Sequence, residues 1–485
     1  MKILFVMLHA GFVRNYEGVL RELAARGHRV HIACETGRTK LDDAPLLDAV
    51  VAAGGVTAGP APVRAEGVRT FLARSDRGAL RAGDETAAAT PERWDALAAT
   101  VRLALDYLRY FEPEYAHAPR LKARAEKRLP HVFRAAADAV AWCGPRARRA
   151  ATMGLEALES AIPVPRAIER FVRGERPDLL LVTPLVEFGS EQVDYVKCAR
   201  RLGIPSALAV ASWDNLTNKG VMRVAPDRVI VWNEAQREEA SALHGVPAED
   251  VVVTGAQIFD QWFDARPTRS RDDFCRTVGL PPDRPFILYA GSSSFIAPNE
   301  HQFAAGWIEA IRRSTDPALA SAGILIRPHP ANTRRWWVLD RDRLTGVSVW
   351  PPLGIEQGPA EHKADYYESL YYCAAVVGVN TSAQIEAAIL GRPVCTVRAP
   401  DFAHAQDGMP HFRHLLEAGG GLLVVAGTLA EHVQQLSAAL AGDSHGVARS
   451  RRFVQAFVRP HGLERPATPG VVEAVEQIGA RPVPA

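Results

Sequence analysis

The chain has 485 residues, 47% of them hydrophobic and 23% charged, with a formal net charge of +2. That length exceeds one ordinary core and fits two or three domains. So even a charge balance argues against nucleic acid or a strongly acidic partner. Six cysteines (Cys34, Cys143, Cys198, Cys275, Cys373, Cys395) are scattered without a C-x-x-C pair, which disfavours both zinc and disulfide frameworks.

Met1–Leu8 is apolar but short and runs into His9-Ala-Gly-Phe-Val-Arg14 without a small-residue cleavage site. It reads as a first strand rather than a signal peptide. No uncharged run approaches the ~18 residues of a membrane span. A cytoplasmic protein is expected, with peripheral contact at the inner face of the plasma membrane left open.

The first unit is β-loop-α-β: strand Lys2–Leu8, a loop at His9–Arg14, a helix through Tyr16–Arg26 stopped by Gly27, and strand Val30–Cys34. Gly54–Glu92 is rich in Gly, Ala, Thr and Arg and weakly periodic. Pro91–Arg173 patterns as helix. The α/β rhythm then returns with strands at Asp178–Thr183, Ser206–Ala211, Arg228–Trp232 and Val251–Thr254, and helices at Gln192–Leu202 and Glu234–His244. Arg266–Pro285, with four prolines and many charges, marks a boundary. A second series follows: strand Phe286–Ala290, helix Glu300–Arg313, strand Gly323–Ile326, helix Asp365–Cys373, strand Ala375–Val379, helix Ser382–Leu390, strand Pro393–Val397 and helix Thr428–Ala441. Val447–Val458 reads as a helix that returns to the first domain, and the proline-bearing tail from Pro460 as partly loose.

The expectation is therefore an α/β protein with two doubly wound, Rossmann-like domains facing a cleft. The N-terminal domain is 1–265, with a helical insertion at about 91–173. The C-terminal domain is 266–445, and 446–485 holds the returning helix and tail.

Four strand-end segments could carry chemistry. Arg327-Pro-His-Pro330 ends a buried strand, and its two prolines hold His329 in a stiff, extended segment. An Arg fork or imidazole there can neutralise a departing phosphate, and His329 could instead act as an acid. Gly378-Val-Asn-Thr-Ser382 ends another strand. Asn380, Thr381 and Ser382 open a helix whose N–H groups suit an anion, although plain N-capping is equally consistent. Glu386, four residues on, could accept hydrogen bonds from ribose hydroxyls. Gly291-Ser-Ser-Ser294 is a small-residue loop through which backbone N–H groups could reach phosphate. It lacks the Lys of a P-loop. Ser212-Trp-Asp-Asn-Leu-Thr-Asn-Lys-Gly220 supplies Asp214 as a general base, unless Asp214 only makes an Asx-turn beside Asn215. Glu187 competes for that role, and His9 is a third choice. His9, Gly11, Trp213 and Asn215 fall on the acceptor side. In the insertion, Arg120, Lys122, Arg124, Lys127, Arg128, Arg134, Arg146, Arg148 and Arg149 form a basic segment. It suits anionic lipid or simply a solvated face.

Together these motifs resemble the GT-B superfamily of glycosyltransferases over most of residues 1–460, outside Gly54–Arg173. Ser212–Gly220, Val253-Thr-Gly255, Arg327–Pro330 and Asn380-Thr-Ser382 with Glu386 look most like bacterial surface-polysaccharide enzymes. Those are the CDP-glycerol glycerophosphotransferases and the His-Pro-containing sialyl- and Kdo-transferases. The resemblance implies that His329, Thr381 and Ser382 meet the phosphate of a CDP-, CMP- or UDP-linked donor, and that a carboxylate in an N-terminal-domain loop, Asp214 or Glu187, is the base. It implies no metal and no other cofactor, and a glycan or lipid-linked acceptor. The sialyltransferases carry Ser-Ser or Ser-Thr where this chain has Thr381-Ser382, and the insertion matches no named pattern. UDP-N-acetylglucosamine 2-epimerases share the fold and a His-Pro segment, with Ser-Gly-Gly in place of Thr381-Ser-Ala383. A non-catalytic nucleotide-sugar-binding protein is the remaining alternative.

Overall fold

The computed structural model describes residues 1–36, 44–64, 93–336, 344–352 and 359–480. The chain divides into two units, Met1–Ile258 with Arg459–Ala485, and Phe259–Val458.

The first unit is built on a seven-stranded, all-parallel sheet: β1 (Lys2–His9), β2 (Arg29–Thr36), β3 (Val56–Pro60), β4 (Leu179–Thr183), β5 (Ser206–Ala209), β6 (Arg228–Val231) and β7 (Val251–Val253). Their spatial order is β3-β2-β1-β4-β5-β6-β7. The chain reverses direction of travel across the sheet between β1 and β4. Alternate residues face opposite sides, as a strand requires. Ile3, Phe5, Met7, Leu179 and Leu181 pack with helices Val13–Ala25 and Ala467–Gly479. Leu4, Val6, Leu180 and Val182 pack with helices Arg166–Glu175 and Gln192–Leu202. Both faces are covered, which is why these strands read as continuous apolar runs.

The second unit carries a six-stranded parallel sheet: β8 (Phe286–Ala290), β9 (Gly323–Arg327), β10 (Val347–Val349), β11 (Ala375–Val377), β12 (Val394–Val397) and β13 (Val424–Ala426), in the order β10-β9-β8-β11-β12-β13. Its reversal lies between β8 and β11. Trp307, Trp336, Ile308 and Leu436 fill one side of the sheet against Ile287, Tyr289, Ile324 and Ile326. Each unit is thus doubly wound, as expected.

Several expectations need correction. Sequence-wise, Val447–Val458 was expected to return to the first unit. It forms the helix Ser444–Phe453 and the turn Val454–Val458, which stay with the second. The returning element is Ala467–Gly479, whose Val471, Val472, Val475 and Ile478 are buried. The apolar i, i+1, i+4 and i+7 pattern there was masked by Thr468-Pro-Gly470 and the neighbouring prolines. Helix Ala44–Ala52 and strands β3, β10 and β13 were not anticipated, being short and weakly patterned. Of the Gly54–Glu92 segment, 65–92 lies outside the described residues.

Among the described residues the insertion holds five α-helices, Asp95–Arg109, Pro119–Glu126, His131–Trp142, Pro145–Ala161 and Arg166–Glu175, with a short 3-10 turn at Pro113–Tyr115. Its first helix is fastened by buried charge. Arg102 donates to Glu159 and to Asp194, while Arg64 donates to Asp194 and Asp95. Burial alone would raise the Asp194 carboxyl, but Arg102 and Arg64 outweigh it and leave it at about 2. A carboxylate held by two guanidiniums in this way stays charged in the interior.

Candidate functional site

In open α/β sheets, ligands sit beyond the carboxyl ends of the strands where the winding reverses. In the second unit that place lies past β8 and β11, and the expected donor residues gather there. The β8 loop Gly291–Ser294 meets the β11 loop directly, since the Asn380 backbone N–H donates to Ser292 Oγ at 3.4 Å. The neighbouring β9 joins them through Gly291 N–H to Arg327 O at 2.9 Å. A Cβ on Gly291 would lie 3.0 Å from Trp336 Cζ2 and 3.4 Å from His329 N. Gly291 is therefore needed for the close approach of these two strand ends.

Not every expected donor is available. Ser292 is fully buried, and its N–H donates to Glu300 Oε2 at 2.6 Å. Gly291 and Ser292 are thus occupied inside the protein and build the loop, whereas Ser293 is half-buried and Ser294 is exposed. Glu300 is buried with Tyr289 and Ser292 around it, and burial pushes its carboxyl up to about 8. Asn380 is buried too: its Nδ2 reaches Ala405 O at 2.6 Å and His411 Nε2 at 3.2 Å, while its Oδ1 has no partner among the described residues. Thr381 Oγ1 receives the Ala383 N–H at 3.5 Å, and the exposed Ser382 makes no side-chain cap to the helix Ala383–Ile389. The cap, such as it is, belongs to Thr381, leaving the Ser382 hydroxyl on the surface.

Arg327 is 5% exposed at the end of β9. Its guanidinium lies over the Tyr366 ring at 5.4 Å and bonds Ser369 Oγ at 3.4 Å. It has no ion-pair partner among the described residues. Burial pushes it down to about 10, against the nearby Tyr366 and Asp365. A buried guanidinium so lightly matched costs solvation energy that an incoming anion would recover. Burial also lowers His329, so at neutral pH its imidazole is uncharged. Of the two groups expected to stabilise charge, Arg327 is therefore the one that carries charge at neutral pH. Glu386 is half-buried; it accepts the Tyr366 hydroxyl, and burial raises it to about 7 despite that bond. Tyr366 thus bridges Arg327 and Glu386. The sequence signal for Tyr366 was weak, because it sits in Asp365-Tyr-Tyr-Glu-Ser-Leu-Tyr-Tyr372, an ordinary aromatic helix face.

In the first unit the winding reverses between β1 and β4. His9 and Gly11 follow β1, Glu187 follows β4, and Trp213, Asp214 and Asn215 follow β5. His9 Nδ1 accepts the Gly11 N–H at 3.1 Å, so this pair is a local cap. Asn215 Oδ1 accepts the Ala211 N–H at 3.2 Å and its Nδ2 reaches Pro184 O at 3.4 Å, tying the β4 and β5 loops. Trp213 is nearly buried. Asp214 is held within its own loop: Oδ1 accepts Ser212 Oγ at 2.6 Å and Oδ2 accepts Asn218 Nδ2 at 3.1 Å. Glu187 pairs with Lys219 at 2.5 Å.

The insertion shapes these loops, which sequence reasoning missed. Asp106 accepts N–H groups of Gly189 at 2.6 Å and Val221 at 2.9 Å and pairs with Arg223. Arg109 donates to the Leu216 and Gly220 carbonyls. Tyr110 and Tyr115 donate to Lys219 O and Thr217 O at 2.7 and 3.0 Å. A Cβ on Gly220 would come within 2.4 Å of Glu187 O. The Asp-x-x-Arg-Tyr spacing of Asp106, Arg109 and Tyr110 placed these groups on one helix face, but gave no hint of their target.

Among the described residues no three His, Cys, Asp or Glu side chains gather to hold a metal ion. The Asp-x-Asp spacing at Asp340-Arg-Asp342 lies outside them.

No family model and no curated protein matches the chain. Solved structures do. A putative UDP-N-acetylglucosamine 2-epimerase from Listeria monocytogenes aligns with a TM-score of 0.53 at 12% identity, over 98% of this chain and 96% of its own. A glycosyltransferase from Rickettsia africae gives 0.52 at 9% identity, over 99% of each. A UDP-GlcNAc 2-epimerase from Neisseria meningitidis gives 0.50 at 12% identity, over 98% of this chain and 100% of its own. At such identities the likeness shows the fold: two Rossmann-like α/β units of the GT-B type.

Proposed function

We propose that the chain is a GT-B glycosyltransferase. It moves a sugar, or a polyol-phosphate, from a CDP-, CMP- or UDP-linked donor to a hydroxyl of a glycan or lipid-linked acceptor, in synthesis of a bacterial surface polysaccharide or glycoconjugate. The observation that carries this reading is the buried, lightly matched Arg327 at the β9 end. Its carbonyl accepts the Gly291 N–H at the start of the β8 loop, and its guanidinium is linked through Tyr366 to Glu386. A donor phosphate would pair with Arg327, with N–H donation from His329 and hydroxyl contacts from Ser293, Ser294, Thr381 and Ser382. Glu386 would take the ribose.

In a sugar transfer, a carboxylate of the first unit accepts the acceptor's O–H proton and the acceptor oxygen bonds to the anomeric carbon. The bond from that carbon to the phosphate oxygen breaks, and the nucleotide leaves with its electron pair. Arg327 neutralises that charge. Glu187 is the better base, because both Asp214 oxygens are held by side chains of their own loop, whereas Glu187 has a long 3.4 Å Phe188 N–H contact on one oxygen and a flexible ammonium on the other. No step is assigned to a metal.

The fold alone supports an epimerase equally well, since one structural neighbour was solved with UDP-GlcNAc bound. Thr381-Ser382-Ala383 in place of Ser-Gly-Gly favours the transferase. The deciding experiment is calorimetric titration with CMP, CDP, UDP and GDP, followed by assays of donor consumption. Binding of one nucleotide, with donor loss that requires an acceptor, is expected. Binding of none would remove the donor site. Conversion of UDP-GlcNAc to its 2-epimer without acceptor would establish the second reading, and binding without turnover a non-catalytic protein.

A further inference from the structure

The helix His131–Trp142 in the insertion is inverted relative to an ordinary surface helix. Ala137 is its one buried residue. Trp142 is 90% exposed and Val132 77%, at opposite ends of the helix on its side away from Ala137, whereas the half-covered Phe133 lies towards the Ala137 side. The next helix adds Met153, 61% exposed, with Leu158 further along. Three large apolar side chains held this far into water on two successive helices are more than the scattered single exposures of an ordinary soluble surface.

The charge around this patch indicates the partner. From Pro119 to Ala161 the sequence holds nine Lys or Arg and four Asp or Glu. The balance of 9 − 4 = +5 compares with +2 for the whole chain, so the rest of the protein is net acidic. Some of this charge is spent internally: Arg148 pairs with Glu112, Arg134 with Glu126, and Arg124 and Arg128 lie over the Phe188 ring. Glu159 is buried with Arg102. Lys127, Arg146 and Arg149 are exposed, and Arg146 and Arg149 share a helix with Met153 at three- and four-residue spacing. A second copy docking the same face would set this excess against itself. An anionic surface would be attracted to it.

We infer that helices His131–Trp142 and Pro145–Ala161 form a docking face for the surface of an anionic phospholipid bilayer. Val132, Trp142 and Met153 would enter the headgroup boundary, and Lys127, Arg146 and Arg149 would meet lipid phosphates. The helix would lie in the plane of the interface, as amphipathic membrane-surface helices do, with Trp142 at the depth tryptophans favour. No described helix is long and apolar enough to cross a membrane, so attachment would be peripheral and reversible. The inference is independent of the transferase reading, because its test needs no turnover.

The test is flotation of the full chain with phosphatidylcholine vesicles, with and without phosphatidylglycerol. Binding is expected only with the anionic lipid and is expected to fall as salt rises. Arg146→Ala should lower partitioning about fivefold, and Arg149→Ala likewise, following the usual contribution of a basic residue near such a surface. Val132→Ser with Trp142→Ser should reduce it more than about tenfold. The unfolding midpoint should hold, since both side chains are largely in water. Absence of flotation with anionic vesicles would overturn the inference, as would equal flotation of the Val132→Ser/Trp142→Ser variant. Lipid-free self-association that this variant abolishes would overturn it in favour of a second copy of the chain.

Discussion

The carboxyl edges of the two sheets hold similar inventories of Asp, Glu, Asn, Arg and Ser, yet they spend them differently. In the first unit most of the polar groups that hold the loops satisfy one another, with Arg109 Nε an exception. Asp106 receives two backbone N–H groups and Arg223, Arg109 serves two loop carbonyls, and Asp214 closes its own turn. In the second unit Arg327 has one long hydrogen bond and an aromatic face, Asn380 Oδ1 has no partner among the described residues, and burial lifts Glu300 and Glu386 out of the usual carboxylate range. Buried polar groups are normally satisfied. Perturbed and under-matched ones gather where a ligand completes them. On the proposed reading the first edge is a scaffold for loops, and the second holds in Arg327 a cation that a bound anion would match.

The largest expected difference comes from cutting the scaffold. Asp106→Ala strands a buried Arg223 and two N–H groups, and should cost about 3–5 kcal/mol of stability, read by denaturant unfolding. A loss under about 1 kcal/mol would mean that the insertion merely rests on the loops. In the second unit, Glu300 offers a test through pH. Its folded value of about 8 is raised above that of an unfolded glutamate. Its stabilising contribution is therefore complete at low pH and is lost as pH rises towards 8. Glu300→Gln removes the titration, so the variant should gain on the wild type by about 3 kcal/mol between pH 5 and pH 8. Parallel pH–stability curves for the two proteins would show that Glu300 is charged in the fold.

Sequence patterning captured what depends on local periodicity. The long buried strands β1, β4, β8 and β9 announce themselves as apolar runs, and Arg327-Pro-His-Pro330 announces a stiff strand end. From strand ends alone, the topology rule then brings His329, Ser293, Asn380 and Glu386 to one edge. Two kinds of information were not local. Whether a loop N–H is free depends on a side chain from elsewhere, and Glu300, eight residues on, consumes that of Ser292. The insertion gave a helical pattern but no partner, because Asp106 and Arg109 act on loops more than 80 residues away in sequence. Charge state was also hidden: an isolated His329 reads as a switch near pH 6.5, and only burial shows that it rests neutral.

Arg327→Ala separates the two edges directly. If Arg327 awaits an anion, its loss should leave stability within about 1–2 kcal/mol of wild type and weaken nucleotide binding about 100-fold, the worth of one charge-assisted pair. A stability loss matching that of Asp106→Ala, with nucleotide binding intact, would place Arg327 in the scaffold and dissolve the contrast.

The smallest effect is the most specific. Glu386 lies at about 7 because burial raises it, and the Tyr366 hydroxyl already pulls it down. If it holds the ribose as proposed, it would accept two hydroxyls as a carboxylate and offer one acceptor fewer once protonated. Nucleotide affinity should therefore decline as pH falls from 8 to 6. Tyr366→Phe removes the bond that favours the charged form, so the midpoint of that decline should move to higher pH, by about half a unit to one unit. At pH 7 the variant should bind about threefold more weakly, while at pH 9 the two proteins should converge. A uniform weakening at every pH would mean that Tyr366 touches the nucleotide itself. A pH-independent affinity in both proteins would detach Glu386 from the ribose and leave Arg327 as the sole anchor of the edge.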